Sequence, residues 1–131
     1  MKTNRLINTA IAFASLVSMS GCATTTPLKS KPPYSKISLN KPLSWGDGWL
    51  VIHLDMPAGT YTPLYEDERG YYYQAPQKIT GRDSGMPLLL DGGLYLERTE
   101  SKPKKIYFLR GQSGIPGKVG VGDRAEVTMQ R

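Results

Sequence analysis

The 131-residue chain predicts an all-β fold, a small antiparallel sandwich or barrel of about six or seven short strands. Three observations carry that expectation. Apolar residues alternate with polar ones at a period of two. Clusters of Gly, Pro and Asp separate the alternating runs. No stretch repeats its apolar residues at the 3.6 spacing of an amphipathic helix.

Trp49–Met56 is the first clear strand, with Leu50, Ile52, Leu54 and Met56 on one face and Trp49, Val51, His53 and Asp55 on the other. Pro57-Ala58-Gly59 turns the chain. Tyr61–Glu66 and Tyr71–Gln74 then read as a hairpin through Asp67-Glu68-Arg69-Gly70, with Gly70 suited to a left-handed turn position. Asp91-Gly92-Gly93 signals a second hairpin, between Leu88–Leu90 and Leu94–Arg98. After a turn at Ser101-Lys102-Pro103, Lys105–Arg110 sets Ile106 and Phe108 against Tyr107 and Leu109. The glycine-loaded segment 111–122 reads as a loop. Arg124–Gln130, alternating Ala125, Val127 and Met129, closes the sheet.

Ahead of Trp45 the composition changes. Residues 23–44 are rich in Thr, Ser, Lys and Pro, and Pro27, Pro32 and Pro33 oppose helix and central strand. They read as a flexible linker holding the domain off a surface. The expected organisation is therefore a leader at 1–21, a linker at 22–44 and a β domain at 45–131.

The leader has a basic start at Lys2 and Arg5, an uncharged stretch from Leu6 to Gly21, and then the only cysteine, Cys22. A basic head, apolar body and small-residue exit form an export signal. Leu6–Gly21 is shorter than the roughly 20 apolar residues that cross a bilayer, and Asn8, Thr9, Ser15, Ser18 and Ser20 dilute it. Met19-Ser20-Gly21-Cys22 resembles the lipobox of bacterial lipoproteins, with Met19 where an aliphatic residue is usual. The resemblance implies cleavage before Cys22 and a lipid anchor of palmitate-like acyl chains on that residue. It further implies that Ala23, where Asp would retain the protein in the inner membrane, directs it to the outer membrane of a diderm cell. A single cysteine fits this context. In an oxidising compartment structural cysteines come in pairs, and a lipid-capped thiol needs no partner.

Loss of Lys2 and Arg5 leaves 15 basic and 11 acidic residues, a net charge of +4. Residues 22–45 carry Lys29, Lys31, Lys36 and Lys41 with no acid. Residues 46–100 carry a net −5 and residues 101–131 a net +5. Lysines next to a lipid anchor favour an anionic leaflet, or keep a tether soluble. An exported, tethered protein seldom meets nucleic acid, and the basic residues do not interleave with aromatics as a stacking platform does, so nucleic acid is not an expected partner.

No catalytic constellation is legible. His53 is the only histidine and reads as a polar residue on the less buried strand face, without the further ligands a zinc site needs. Gly81-Arg82-Asp83-Ser84-Gly85 approaches the nucleophile segment of chymotrypsin-like proteases, but Arg82 intervenes and Met86 replaces a glycine, so it reads as a turn. Gly114–Gly120 lacks the first glycine and the final Ser or Thr of a phosphate loop. Glu66-Asp67-Glu68 lacks the ligand spacing of a calcium loop and reads as a solvated hairpin tip. No cofactor and no metal are expected.

The tyrosines stand out. Tyr61, Tyr65, Tyr71, Tyr72 and Tyr73 fall within 13 residues. Alternation sets Tyr71 and Tyr73 on one face and Tyr72 on the other, with Tyr61 and Tyr65 sharing a face. One or two of these rings are expected at the surface, where tyrosine favours protein interfaces and sugar stacking; the bland alternative is a thin core with hydroxyls at its rim. The expected role is a membrane-anchored, non-enzymatic module for binding or assembling an envelope protein through this hairpin. Two alternatives are recognition of cell-wall glycan or lipopolysaccharide, using the tyrosines with Lys102, Lys104, Lys105 and Arg110, and inhibition of an envelope or host hydrolase.

Overall fold

The computed structural model describes residues 26–46, 51–110 and 115–131. Among these the chain is all-β and antiparallel, with eleven strands and one 3-10 turn at Gly122–Arg124. In chain order the strands are β1 (Thr26–Pro27), β2 (Lys36–Leu39), β3 (Leu43–Gly46), β4 (Ile52–Met56), β5 (Gly59–Glu66), β6 (Gly70–Gln74), β7 (Ile79–Asp83), β8 (Met86–Glu97), β9 (Lys105–Leu109), β10 (Gly117–Gly120) and β11 (Val127–Gln130). The continuous path is β11-β2-β5-β6-β8-β7-β4-β3, with β9 on β8, β10 on β9 and β1 on β5.

Two long strands join the sheet segments. The first residues of β5 pair with β2, and its later ones with β6 and β1. Met86–Leu90 of β8 pairs with β7, and its second half with β6 and β9. Each long strand passes from one segment into the next, so one core is enclosed on several sides. Ile37, Leu54, Tyr61, Tyr73, Ile79, Leu94 and Ile106 fill it, all fully buried. The alternation read for Ile52–Met56 appears in the fold, since Leu54 and Met56 are buried while His53 and Asp55 are half-buried. Trp49 and Leu50 lie outside the described residues.

Six expectations require correction. Residues 23–44 are not simply a linker: β1, β2 and the start of β3 fall within them, and Ile37, Leu39 and Leu43 are buried. Pro27, Pro32 and Pro33 sit at a two-residue bridge and in the connection to β2, where proline costs no ladder bond. The count of six or seven strands was therefore too small.

Asp91-Gly92-Gly93 is not a turn. It lies inside β8, which runs unbroken for 12 residues. Its glycines answer close approach: a Cβ on Gly92 would lie 2.3 Å from the Tyr107 carbonyl oxygen, and one on Gly93 1.8 Å from that of Tyr73. The real hairpin turns at Ser84-Gly85, with both φ values positive (53° and 83°), as a two-residue turn of right-handed twist requires. Gly70 likewise has no left-handed φ; a Cβ there would meet the Leu96 carbonyl oxygen at 2.2 Å.

Tyr61 and Tyr65 do not share a face. A bulge between Pro63 and Tyr65 inserts Leu64, and the extra residue reverses the side-chain alternation. Tyr61 consequently enters the main core, while Tyr65 lies opposite Tyr72 on the other side. Finally, the loop expected over 111–122 contains β10, paired with β9; residues 111–114 lie outside the described residues.

Candidate functional site

The β5–β6 hairpin and the strands beside it hold the predicted tyrosine site. Tyr71 and Tyr73 do face one way and Tyr72 the other, but both faces are covered. On the main-core side, Tyr61 donates its hydroxyl to the Pro57 carbonyl at 2.7 Å, and Tyr73 to that of Tyr34 at 2.7 Å. Burial pushes the Tyr73 hydroxyl up to about 12 and that of Tyr61 higher still.

On the opposite side Tyr72, Tyr95 and Tyr107 form a second, smaller cluster, with Tyr65 against it. The Tyr72 ring lies 4.8 Å from each of the other two, tilted to one and edge-on to the other, as aromatic quadrupoles prefer. Lys118, opposite Tyr107 in the β9–β10 ladder, reaches across and places its ammonium 4.7 Å from the Tyr95 ring centre and 5.2 Å from that of Tyr72. The lysine of the phosphate-loop-like segment thus caps an aromatic cluster.

The acidic tip is not simply solvated. Asp67, whose side chain is 7% exposed, accepts hydrogen bonds from the hydroxyls of Tyr72 (2.7 Å) and Tyr95 (2.8 Å) and from the amides of Arg69 and Gly70 (2.9 Å each). Lys118 stands 3.6 Å away. Burial raises the Asp67 carboxyl, but the four hydrogen bonds outweigh it and hold the group below its ordinary value. Burial, reinforced by the hydrogen bond to Asp67, drives the Tyr72 and Tyr95 hydroxyls upward. Burial also raises Tyr107.

Glu66 faces the other way and clasps the N-terminal segment. Its Oε1 accepts from the amides of Lys29 (2.8 Å) and Ser30 (3.0 Å) and from the Ser30 hydroxyl. Its Oε2 accepts from Arg98 at 3.2 Å. The Lys29 amide first, then the other donors, hold Glu66 below its ordinary value. Arg98 stacks 4.5 Å over the Tyr71 ring, bonds the Tyr71 hydroxyl, and donates to the carbonyls of Asp67 and Glu68. One arginine therefore ties the N-terminal segment, the tip and the end of β8 together.

The proposed site residues do not come together as one face. Tyr61, Tyr71, Tyr72 and Tyr73 are buried, so the expectation of an exposed ring among them fails; Tyr65 is half-buried. The reason is that strands β6 and β8 are covered on both faces, which a single alternating segment does not reveal. The four basic residues are engaged by three different acids: Lys105 by Glu97 at 2.8 Å, Arg110 by Asp83, and Lys102 and Lys104 together by Asp123 at 3.8 and 3.9 Å. His53 Nε2 and the Ser44 hydroxyl both bond the same Asp55 oxygen, at 3.0 and 2.7 Å. The carboxylate lies between serine and histidine, whereas a catalytic triad needs the histidine in the middle. Ser84 sits at the exposed turn before β8. Cys22 lies outside the described residues. Among those residues no cluster of three or more metal-ligating side chains occurs.

Sequence reasoning missed the exposed apolar end of β8. Met86 and Leu89 are 68% and 65% exposed, next to exposed Pro87. Their positions, even and odd, put them on opposite faces of the strand. Met86–Leu90 pairs with β7 along one edge, and among the described residues no strand pairs with its other edge. The signal was the run Met86-Pro87-Leu88-Leu89-Leu90, whose proline marks an edge strand. Comparison of the chain with models of protein families, with curated proteins and with solved structures finds no match.

Proposed function

We propose that this is an acyl-anchored lipoprotein of the outer membrane whose β domain is a non-enzymatic module for binding an envelope protein. Met19-Ser20-Gly21-Cys22 and Ala23 support the anchoring and sorting. The exposed apolar end of β8 carries the binding part of the reading, because Met86 and Leu89 leave most of their surface to water on a strand whose second edge is paired by no strand among the described residues. Apolar anchors on a rigid hairpin suit a protein partner better than a hydrophilic glycan.

The test is stoichiometric capture from envelope extract, with the wild-type chain and a Met86→Asp/Leu89→Asp variant as parallel baits. One protein retained by the wild type and lost by the variant, with both melting at the same temperature, is the expected result. Equal retention by the two baits contradicts the site, and retention only in the presence of wall glycan contradicts the class of partner.

A further inference from the structure

The N-terminal segment, expected to be a stalk, is fastened to the fold almost at once. Thr26 pairs with Glu66 and Pro27 with Tyr65, and the next residues are held by the Glu66 carboxylate through the amides of Lys29 and Ser30. Only residues 23–25 separate Cys22 from Thr26. Fully extended, the four steps from Cys22 to Thr26 span at most about 14 Å. A 22-residue stalk would reach roughly five times as far.

From this we infer that the acylated protein rides directly on its bilayer, with the end formed by Thr26–Lys31 and the β5–β6 tip against anionic lipid headgroups. The inference rests on acylation of Cys22. The charges at that end suit the partner. Lys29, Lys31 and Arg69 are exposed, and none of the three forms an ion pair among the described residues. The acids there are mostly consumed: Glu66 by Arg98 and backbone amides, Asp67 by its four donors and Lys118, and Glu97 by Lys105. Glu68 and Glu100 remain, so the unpaired cations outnumber the unpaired acids. A cleft of about 320 Å³ lined by Asp67, Glu68, Arg69 and Lys118 opens at the same end. Strong clasping of residues 26–30 matters here, because it fixes which end faces the membrane.

The far end is equally defined. β5 runs seven steps from Glu66 back to Gly59, about 23 Å. Pro76 packs against Gly59 there, and exposed Gln77 follows it. The membrane-facing tip and Gln77 are thus at opposite ends of the hairpin.

The test uses the full acylated chain, purified from membranes and reconstituted into vesicles of phosphatidylcholine with phosphatidylglycerol. Because the acyl chains occupy the only native thiol, single variants Glu68→Cys and Gln77→Cys accept one fluorophore each. Nitroxide-labelled headgroups are expected to quench the label at position 68 at least twofold more than the label at 77. Raising salt, or combining Lys29→Glu, Lys31→Glu and Arg69→Glu with the position-68 label, should cut that quenching by at least half. Equal quenching at both positions in protein whose mass shows acylated Cys22 would overturn the orientation and leave the anchor standing. Quenching unmoved by salt and by charge reversal would overturn the headgroup contact. A mass without acyl chains would overturn the anchor, and the orientation with it.

Discussion

Asp67 concentrates the chemistry of this molecule in one side chain. It satisfies two buried hydroxyls and two turn amides, and a lysine neutralises its charge. Asp67→Ala would strand the Tyr72 and Tyr95 hydroxyls, and is expected to cost about 2–4 kcal/mol in chemical denaturation. The pH dependence follows in sign. Glu66 and Asp67 are both held below their ordinary values, so their contribution is complete above the unfolded carboxyl range, about pH 4. It is lost as pH falls further, through their folded values. Melting temperature should therefore drop steeply below about pH 4, and Asp67→Asn should flatten part of that slope. The buried tyrosines act in the opposite sense: their raised values favour the neutral form, so stability falls as pH climbs past about 10. Tyrosinate absorbance should then rise together with unfolding rather than before it.

At the scale of elements, the glycines differ in what a side chain would meet: backbone at Gly70, Gly81, Gly92 and Gly93, a neighbouring side chain at Gly59 and Gly117, and nothing at Gly85, Gly120 and Gly122. Gly93→Ala forces a Cβ onto the Tyr73 carbonyl and is expected to cost more than about 3 kcal/mol or to prevent folding. Gly120→Ala meets nothing within 4 Å and should change stability by less than about 1 kcal/mol in the same denaturation assay. This distinction explains what was legible in the sequence. Alternation located β4 around Leu54, while β6 and β9 were legible as short runs of aromatic and branched residues bounded by turn signals, Tyr71–Tyr73 and Ile106–Leu109. Asp91-Gly92-Gly93 has the composition of a turn, and only its neighbours across the sheet reveal that the glycines serve close approach. The bulge at Leu64 was equally invisible, since one extra residue reverses a face without any change in local pattern. β2 and β3 were hidden by the lysines and prolines around them, although Ile37, Leu39 and Leu43 already carried the strand period. The exposed site at Met86 and Leu89 was obscured for a different reason: an apolar run in sequence reads as core, and against that reading stood only Pro87, the mark of an edge strand.

Over its described residues the molecule is a small β fold with a largely aliphatic main core, a second cluster of tyrosines, an exposed apolar strand end, and an N-terminal segment clasped to one end. Its identified contacts explain rigidity, and its uncovered parts explain the proposed roles: a strand end for a protein partner and a cationic end for lipid. Both proposed roles rest on the proposed attachment through Cys22, which would hold the domain within about 14 Å of that residue. The most direct test is the intact mass and N-terminal peptide of the mature protein taken from the membrane fraction. The account predicts a chain beginning at Cys22 and carrying acyl chains, with Cys22→Ser accumulating as uncleaved, unacylated precursor. A mature chain with a free Cys22 thiol, or one cleaved elsewhere, would contradict it.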